Sequence, residues 1–301
     1  MFLIIGGDGE VGQGLAAGLR AAGAPVVCTT RRAVASAGWV HLDLAAIPAD
    51  WAPPEGTQAA CITAAVARLA ACEADPAGAA RVNVAGTIAL AESLAARGIY
   101  TLFLSTNQVF DGTVPNAAAD APLCPVSTYG RQKAQTETAL REMMARGAPV
   151  GILRLSKIVS PGMQLFAGWR DSLAAGKPVK AFTDMTFAPV PAAVVTEAIM
   201  ARLQARAATV AQLTGPRDIS YFEAARHIAL LQDANPALVL AGSAAAPGLA
   251  PVSIPKHTTL DCSLLREAWR IFVPDALEVV SVALGQLKKT EMSCVQYCND
   301  T

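Results

Sequence analysis

The chain opens with a short apolar run that leads directly into a cluster of glycines. Phe2 to Ile5 is followed by Gly6-Gly-Asp-Gly9-Glu-Val-Gly12, after which leucine and alanine recur at helical spacing as far as Gly23. This order predicts a strand, a tight turn and a helix, in which glycines let the backbone approach a pyrophosphate and the helix N-terminus meets its charge. The opening therefore predicts a βαβ unit that binds a dinucleotide. The candidate cofactor-binding residues of this turn are Gly6, Gly9, Glu10, Val11 and Gly12.

Apolar runs with strand character alternate with helical patterns as far as residue 155. We predict strands at 2–5, 25–29, 40–42, 59–63, 99–104 and 150–155, with long helices at 76–96 and 129–146. Such alternation indicates an α/β fold with a doubly wound parallel sheet of the Rossmann type. Shorter mixed elements follow. We therefore predict a Rossmann domain over residues 1–155, a smaller mixed α/β lobe that is mainly substrate-binding over residues 156–287, and a loose polar tail over residues 288–301.

The second predicted strand ends in Thr29-Thr30-Arg31-Arg32, where an NAD-preferring domain often has an acidic residue. Two guanidinium groups there would suit the 2′-phosphate of NADP, although a solvated basic turn is the alternative. Asp43-Leu44 follows the third strand and would either accept a hydrogen bond from an adenine or cap the next segment. After the fourth strand, Ala64 and Ala65 are small enough for a cofactor to lie against the backbone.

Tyr129 and Lys133 are four residues apart in a predicted helix and would therefore share one face. A nearby ammonium favours the phenolate and would lower the pKa of Tyr129, which would make it a usable proton donor near neutral pH. Thr106, at the end of the preceding strand, could add a hydroxyl to the same carbonyl oxygen. A surface tyrosine with a solvated lysine is the alternative, but the glycine turn favours a catalytic pair.

The composition indicates a globular chain and argues against several classes of function. The hydrophobic fraction is 53%, the charged fraction is 16% and the net charge is zero. Neither a nucleic-acid surface nor a polybasic membrane contact is expected. No apolar run approaches the ~20 residues that span a bilayer, and the N-terminus lacks the basic region of a signal peptide. The seven scattered cysteines suggest free thiols in a reducing cytoplasm, and we predict no metal site.

Several of these motifs occur together in one known family. They are Gly6/Gly9/Gly12, Asp43-Leu44, Asn83-Val-Ala-Gly86-Thr87, Ser105-Thr106-Asn-Gln-Val-Phe-Asp-Gly112 and Tyr129-Gly-Arg-Gln-Lys133. In this combination the chain resembles the extended short-chain dehydrogenase/reductases, and within them the dTDP-4-dehydrorhamnose reductase-like, sugar nucleotide-binding branch. Beyond residue 155 the likeness is weaker, in Phe187-Ala-Pro-Val190 and Pro255-Lys-His-Thr-Thr-Leu-Asp261.

The resemblance implies a role for each motif. Tyr129 would donate a proton to a sugar ketone, Lys133 would hold the nicotinamide ribose, and Thr106 would bind the substrate oxygen. The cofactor would be NADP, with NAD as a second choice, and the family often forms homodimers. The chain departs from the family at Asn107-Gln108, where Asp-Tyr is usual, and at Ser156-Lys157, where an aromatic residue is common. With Phe187, these four are the candidate substrate-binding residues.

Three functions remain open at this point. The first is an NADP-dependent reductase of a nucleotide-activated 4-keto-sugar or a related carbonyl compound. The second is a non-catalytic NADP-binding regulatory module, because the family includes such a subunit. The third is a reductase of some other small carbonyl compound. The departures at residues 107, 108, 156 and 157 alter the expected substrate pocket more than the cofactor site.

Overall fold

The computed structural model describes residues 1–34, 36–245 and 254–285, so the predicted tail at 288–301 lies outside the described residues. The strands are β1 (Phe2–Ile5), β2 (Val26–Thr30), β3 (Trp39–His41), β4 (Ala59–Ile62), β5 (Tyr100–Thr106), β6 (Val150–Leu155), β7 (Ile158–Val159), β8 (Val179–Phe182), β9 (Thr186–Phe187), β10 (Val190–Pro191), β11 (Val210–Leu213), β12 (Ile219–Ser220) and β13 (Val239–Gly242).

Helices cover both faces of the main sheet and build most of the second lobe. They are α1 (Glu10–Ala21), α2 (Leu69–Ala74), α3 (Pro76–Ala80), α4 (Thr87–Ala95), α5 (Thr128–Ala145), α6 (Gln164–Ala174), α7 (Ala192–Ala205), α8 (Tyr221–Leu231), α9 (Ser263–Trp269) and α10 (Ala276–Ala283). The predicted helix at 76–96 contains a π-helical turn, Arg81–Gly86, between α3 and α4. At Gly86 the backbone approaches Leu44 so closely that an added Cβ would lie 1.8 Å from its carbonyl oxygen.

Within the described residues, seven strands form a parallel sheet in the order β11-β6-β5-β4-β1-β2-β3. This confirms the predicted doubly wound α/β fold. The strand order reverses between β1 and β4, and ligands of open α/β sheets bind in the crevice beyond the carboxyl ends of strands at such a point. A ligand-binding site is therefore expected at the carboxyl ends of β1, β2, β4 and β5.

Successive side chains of each central strand enter opposite cores, as the two-residue period of a strand requires. On one face Ile4 and Leu104 pack with α1 and α7. On the other face Ile5 and Phe103 pack with α4 and α5. Both faces of the sheet are therefore buried, which explains why its strands are continuous apolar runs rather than alternating ones.

The edge strand β11 comes from residues beyond the boundary predicted at 155. It pairs with β6 in parallel, with Val210 opposite Ile152 and Leu213 opposite Leu155. The intervening chain, from β7 to α7, leaves the sheet and returns to it. The boundary at 155 stays a prediction, but the main sheet is not built from residues 1–155 alone.

The second lobe has its own core, around Phe166, Phe187 and Ile228. Two-stranded pairings of β10 with β7, β12 with β9 and β13 with β8 support it. In the described part of the chain, no helix has the length and apolar character needed to cross a bilayer. The same residues contain no cluster of His, Cys, Asp and Glu side chains suited to a metal ion.

Candidate functional site

A cavity of about 500 Å³ lies at the carboxyl ends of β1, β2 and β4, where the strand order reverses. We call it the glycine-turn cavity. Of the sequence-predicted residues, those that line it are Gly6, Gly9, Arg31, Arg32, Asp43, Leu44, Ala64 and Ala65. Residues that were predicted from separate motifs along about 60 positions of the chain are thus brought together around one opening.

The turn between β1 and α1 needs its glycines for two different reasons. Gly6 has a φ of +87°, a conformation that L side chains rarely adopt. A Cβ at Gly12 would lie 2.4 Å from the Gly6 carbonyl oxygen, so only glycine lets α1 pack this closely. Gly9 precedes α1 and has no side chain to cap it, so the first N–H groups of the helix face the turn. This arrangement fits a pyrophosphate.

Two residues predicted for the turn are placed elsewhere. The Glu10 carboxylate accepts a hydrogen bond from the Ser160 hydroxyl, which belongs to the second lobe. Val11 packs against the core beneath the sheet. Neither lines the glycine-turn cavity, so Glu10 connects the two lobes and Val11 supports the helix.

The segment Ala64 to Ala67 forms one wall of the glycine-turn cavity, and a buried asparagine holds it in place. Asn83 Oδ1 accepts from the Val66 N–H at 2.8 Å, and Asn83 Nδ2 donates to the Val66 carbonyl oxygen at 3.0 Å. The same Nδ2 donates to Gln132 Oε1 at 2.8 Å, and Gln132 Nε2 donates to the Pro76 carbonyl. Asn83 thus connects the wall to α5. It belongs to one of the motifs that carry the family resemblance, but sequence reasoning did not assign it this role.

A second cavity, of about 370 Å³, lies beyond the end of β5 and between the two lobes. We call it the Thr106 cavity. Its lining includes Thr106 and all five residues predicted to meet substrate, namely Asn107, Gln108, Ser156, Lys157 and Phe187. Ala67 lines both cavities, so the two openings adjoin each other.

The polar groups at the end of β5 are mutually hydrogen-bonded. Thr106 Oγ1 accepts from the Gln108 N–H at 3.2 Å and lies 3.4 Å from Asn107 Oδ1. Gln108 Oε1 accepts from the Ser127 hydroxyl at 3.0 Å, which orients the Gln108 amide NH2 away from that contact. Lys157 is exposed, whereas Phe187 is buried and its ring lies 4.5 Å from that of Tyr221.

Asp218 organises the far wall of the Thr106 cavity, a role that no sequence pattern indicated. Its Oδ1 accepts from the Thr258 N–H at 2.8 Å and from the Thr258 hydroxyl at 2.6 Å. Thr258 Oγ1 in turn accepts from the Ala188 N–H at 2.7 Å. These bonds join three segments that are far apart in sequence, and local patterns do not reveal such contacts.

Tyr129 lies in the first turn of α5, where the Ser127 hydroxyl caps the helix by accepting from the Gly130 N–H. Its side chain is only 9% exposed and packs with Val66, Leu69, Cys72 and Ala79. It lines neither cavity, because α2 covers it. Burial raises the pKa of Tyr129, so the expectation that Lys133 lowers this pKa is not met.

Lys133 is buried beside Tyr129 but directs its ammonium elsewhere. Its Nζ donates to the Leu104 carbonyl at 2.8 Å and lies 4.3 Å from the Phe103 ring centroid. The Nζ is 5.8 Å from the Tyr129 ring centroid. Burial lowers the pKa of Lys133 to about 8, and the charge of Glu137 opposes that change.

One helical turn further along α5, Glu137 forms a fully buried ion pair with Arg154. Both side chains have zero exposure, and Arg154 Nη2 lies 2.7 Å from Glu137 Oε2. Arg154 Nη1 also donates to the Ala119 carbonyl and to Gln212 Oε1. The pair therefore fixes the long 107–127 connection against β6 and β11.

Comparison with known proteins identifies the family of the chain. The model of a family described as the RmlD substrate binding domain matches residues 1–287. A dTDP-4-dehydrorhamnose reductase from Sinorhizobium fredii (strain NBRC 101917 / NGR234) is 40% identical over 74 residues, which is 23% of this chain and 23% of that reductase. The match thus spans about a quarter of the curated relative.

Solved structures share the fold across almost the whole chain. MoeE5 in complex with UDP-glucuronic acid and NAD has a TM-score of 0.78 at 22% identity, covering 94% of this chain and 97% of that one. A Bacillus anthracis str. Ames dTDP-4-dehydrorhamnose reductase in complex with NADP has a TM-score of 0.77 at 18% identity, covering 93% and 97%. The UDP-glucose 4-epimerase of Thermus thermophilus, in complex with NAD, has a TM-score of 0.76 at 20% identity, covering 95% and 98%.

Proposed function

The chain belongs to the family of the RmlD substrate binding domain, whose model matches residues 1–287. On this premise we propose that the protein is an NADP-dependent reductase of a nucleotide-activated keto-sugar or a related carbonyl compound, with NAD as a second hydride carrier. The observation that carries this proposal is the adjacency of the two cavities. The glycine-turn cavity and the Thr106 cavity share Ala67, so a dinucleotide in the first can present its nicotinamide to a carbonyl in the second.

The glycine-turn cavity fits a dinucleotide in shape and in charge. Only glycine accommodates the approach between residues 6 and 12, and the uncapped N-terminus of α1 faces the same turn. Arg31, Arg32 and Asp43 line the end at which an adenosine would lie. The bound dinucleotide supplies the hydride, and the protein contributes binding and orientation. Structures of the same fold that contain NAD or NADP support this assignment.

The Thr106 cavity combines aromatic and apolar side chains with hydrogen-bonding groups. Tyr221 and Met185 line it together with Asn107, Gln108 and the exposed ammonium of Lys157. A lysine at the mouth suits the phosphates of a nucleotide, while the amides suit sugar hydroxyls. MoeE5, which has the same fold, binds UDP-glucuronic acid. These features support a nucleotide sugar as the class of substrate.

Tyr129 is the proposed proton donor, with the Thr106 hydroxyl as a second contact for the carbonyl oxygen. Burial raises the pKa of Tyr129, so the phenol carries its proton at neutral pH but is a weaker acid than a free tyrosine while it stays covered. Its ring is covered by Leu69 and Cys72 of the α2 region, so we infer that α2 shifts when substrate enters. Lys133 lines neither cavity, so we propose that the same shift brings its ammonium to the nicotinamide ribose. Its pKa of about 8 leaves it mostly protonated at neutral pH.

The test is a two-stage measurement on the full chain. NADPH and NADH are first titrated by nicotinamide fluorescence, and a panel of nucleotide-4-keto-sugars is then added while absorbance of the reduced cofactor is followed. We expect binding of cofactor and oxidation with one member of the panel. In Tyr129→Phe we expect kcat to fall by about a hundredfold or more, because the proton donor is lost, with cofactor affinity unchanged.

Two results would contradict the proposal in different ways. Failure to bind either cofactor would refute the dinucleotide site. Binding without turnover, or turnover that Tyr129→Phe leaves intact, would refute the assigned chemistry. Tyr221→Phe is a matched control because it removes a phenol from a residue that lines the Thr106 cavity, and we expect it to change KM more than kcat.

A further inference from the structure

One acidic side chain of the glycine-turn cavity has no assigned role. Asp8, which lies between Gly7 and Gly9, lines the cavity together with Thr30, the last residue of β2. The Thr30 hydroxyl donates to Asp8 Oδ2 at 3.1 Å. The glycine turn therefore delivers a carboxylate to the end of β2, the place from which many dinucleotide-binding domains present an acid of the strand itself.

The charges near this carboxylate differ in how firmly they are held. The side chain of Asp8 is 31% exposed and fixed by Thr30, whereas that of Arg32 is 81% exposed. The closest approach is 3.7 Å, between Arg32 Nε and Asp8 Oδ2. Such an exposed pair holds a long side chain only weakly. At this end of the cavity the negative charge is thus held in place by a hydrogen bond, whereas the Arg32 guanidinium is largely exposed to solvent.

We propose that Asp8 is a specificity-determining residue that favours the hydroxyls of an adenosine ribose and opposes a 2′-phosphate. A carboxylate accepts charge-assisted hydrogen bonds from a diol but repels a phosphate placed a few ångströms away. Asp8 thereby counteracts the preference for NADPH that Arg31 and Arg32 create. The cavity accepts both dinucleotides because these two influences balance. This inference depends on the proposed function only in requiring that the cavity binds a nicotinamide dinucleotide.

The experiment compares dissociation constants for NADH and NADPH, each measured by nicotinamide fluorescence on the full chain. Because the two ligands share the fluorescent group, the ratio of the two constants isolates the 2′ position. In Asp8→Asn we expect the ratio of the two dissociation constants to change about tenfold or more in favour of NADPH binding. The amide is a weaker acceptor for the ribose hydroxyls than the carboxylate, and it does not repel the 2′-phosphate. In Arg32→Gln we expect movement toward NADH. Asp50→Asn removes the same charge from an exposed turn and leaves the ratio unchanged.

Thr30→Val provides a second variant, because it removes the hydroxyl that holds Asp8 while keeping the carboxylate, although the same hydroxyl also accepts from the Arg32 N–H. We expect a smaller shift in the same direction as Asp8→Asn. If both variants bind the two cofactors with the wild-type ratio, or if the ratio moves toward NADH, the role of Asp8 is refuted while the proposed function stands. If the wild-type protein binds neither cofactor, both are refuted.

Discussion

Replacement of Lys133 by methionine tests how much the buried ammonium costs the folded protein. Lys133 is 3% exposed, and burial lowers its pKa from 10.5 to about 8. A tenfold change in proton affinity corresponds to about 1.4 kcal/mol, so holding the charged form inside the fold costs about 3 kcal/mol. The hydrogen bond from Nζ to the Leu104 carbonyl satisfies one of three donors.

The pH dependence of this cost has a definite sign. Below pH 8 the amine is charged in the folded and unfolded states, and the full cost is present. Between about pH 8 and 10.5 the folded protein has released the proton while the unfolded chain still binds it, so the free energy of unfolding rises with pH. Above 10.5 both states are neutral and the cost has disappeared.

Urea unfolding between about pH 7 and pH 10, with a reductant to protect the thiols, measures this effect directly. We expect Lys133→Met to be more stable than the wild type by about 3 kcal/mol at about pH 7, and by only about 1 kcal/mol at about pH 10. Lys177→Met, at an exposed position, serves as the matched control and leaves the difference near zero throughout. A difference that stays constant across this range would refute the reasoning, as would a variant that is less stable at neutral pH.

Substitutions at the Glu137–Arg154 ion pair and at Asn83 probe the supports of the site. Glu137→Gln leaves the Arg154 guanidinium buried with no counterion, so we expect a loss of about 3–5 kcal/mol in urea unfolding, and Glu137→Leu combined with Arg154→Met should recover most of it. A double variant no more stable than the single one would contradict this account. Asn83→Ala releases Val66 from its two hydrogen bonds, and we expect the dissociation constant for NADPH to rise about tenfold in a fluorescence titration. Unchanged affinity would show that the wall does not depend on Asn83.

Features that depend on residues close together in the sequence could be predicted from the sequence. The glycine turn between β1 and α1 is one example, since its strand, glycines and helix are consecutive. The family resemblance, carried by short motifs such as Tyr129 to Lys133, is confirmed by the match over residues 1–287. Local spacing also indicated the alternation that identifies the parallel sheet.

Features that depend on side-chain packing could not be predicted in the same way. Helical spacing places Tyr129 and Lys133 on one face, but the neighbours of each group decide its pKa. Tyr129 is covered by α2, and Lys133 bonds to a carbonyl of β5, so the predicted electrostatic coupling between them is not what the fold shows. The ion pair between Glu137 and Arg154 could not be predicted either, because residue type alone does not show which acid pairs with which base.

The edge strand β11 comes late in the sequence, and this has a consequence for folding during synthesis. During synthesis, β1 to β6 have all emerged before Val210–Leu213 exists, so the edge of β6 that β11 will cover is open until then. The first six strands cannot reach their final packing as an autonomous unit, because the α7 residues that bury Ile4 and Leu104 are also missing. An open strand edge and an uncovered apolar face are what chaperones bind and what aggregates grow from. A nascent chain arrested shortly before β11 is therefore the form of this protein that most needs a chaperone. A chain that extends past Leu213 is the first that contains all seven strands of the sheet.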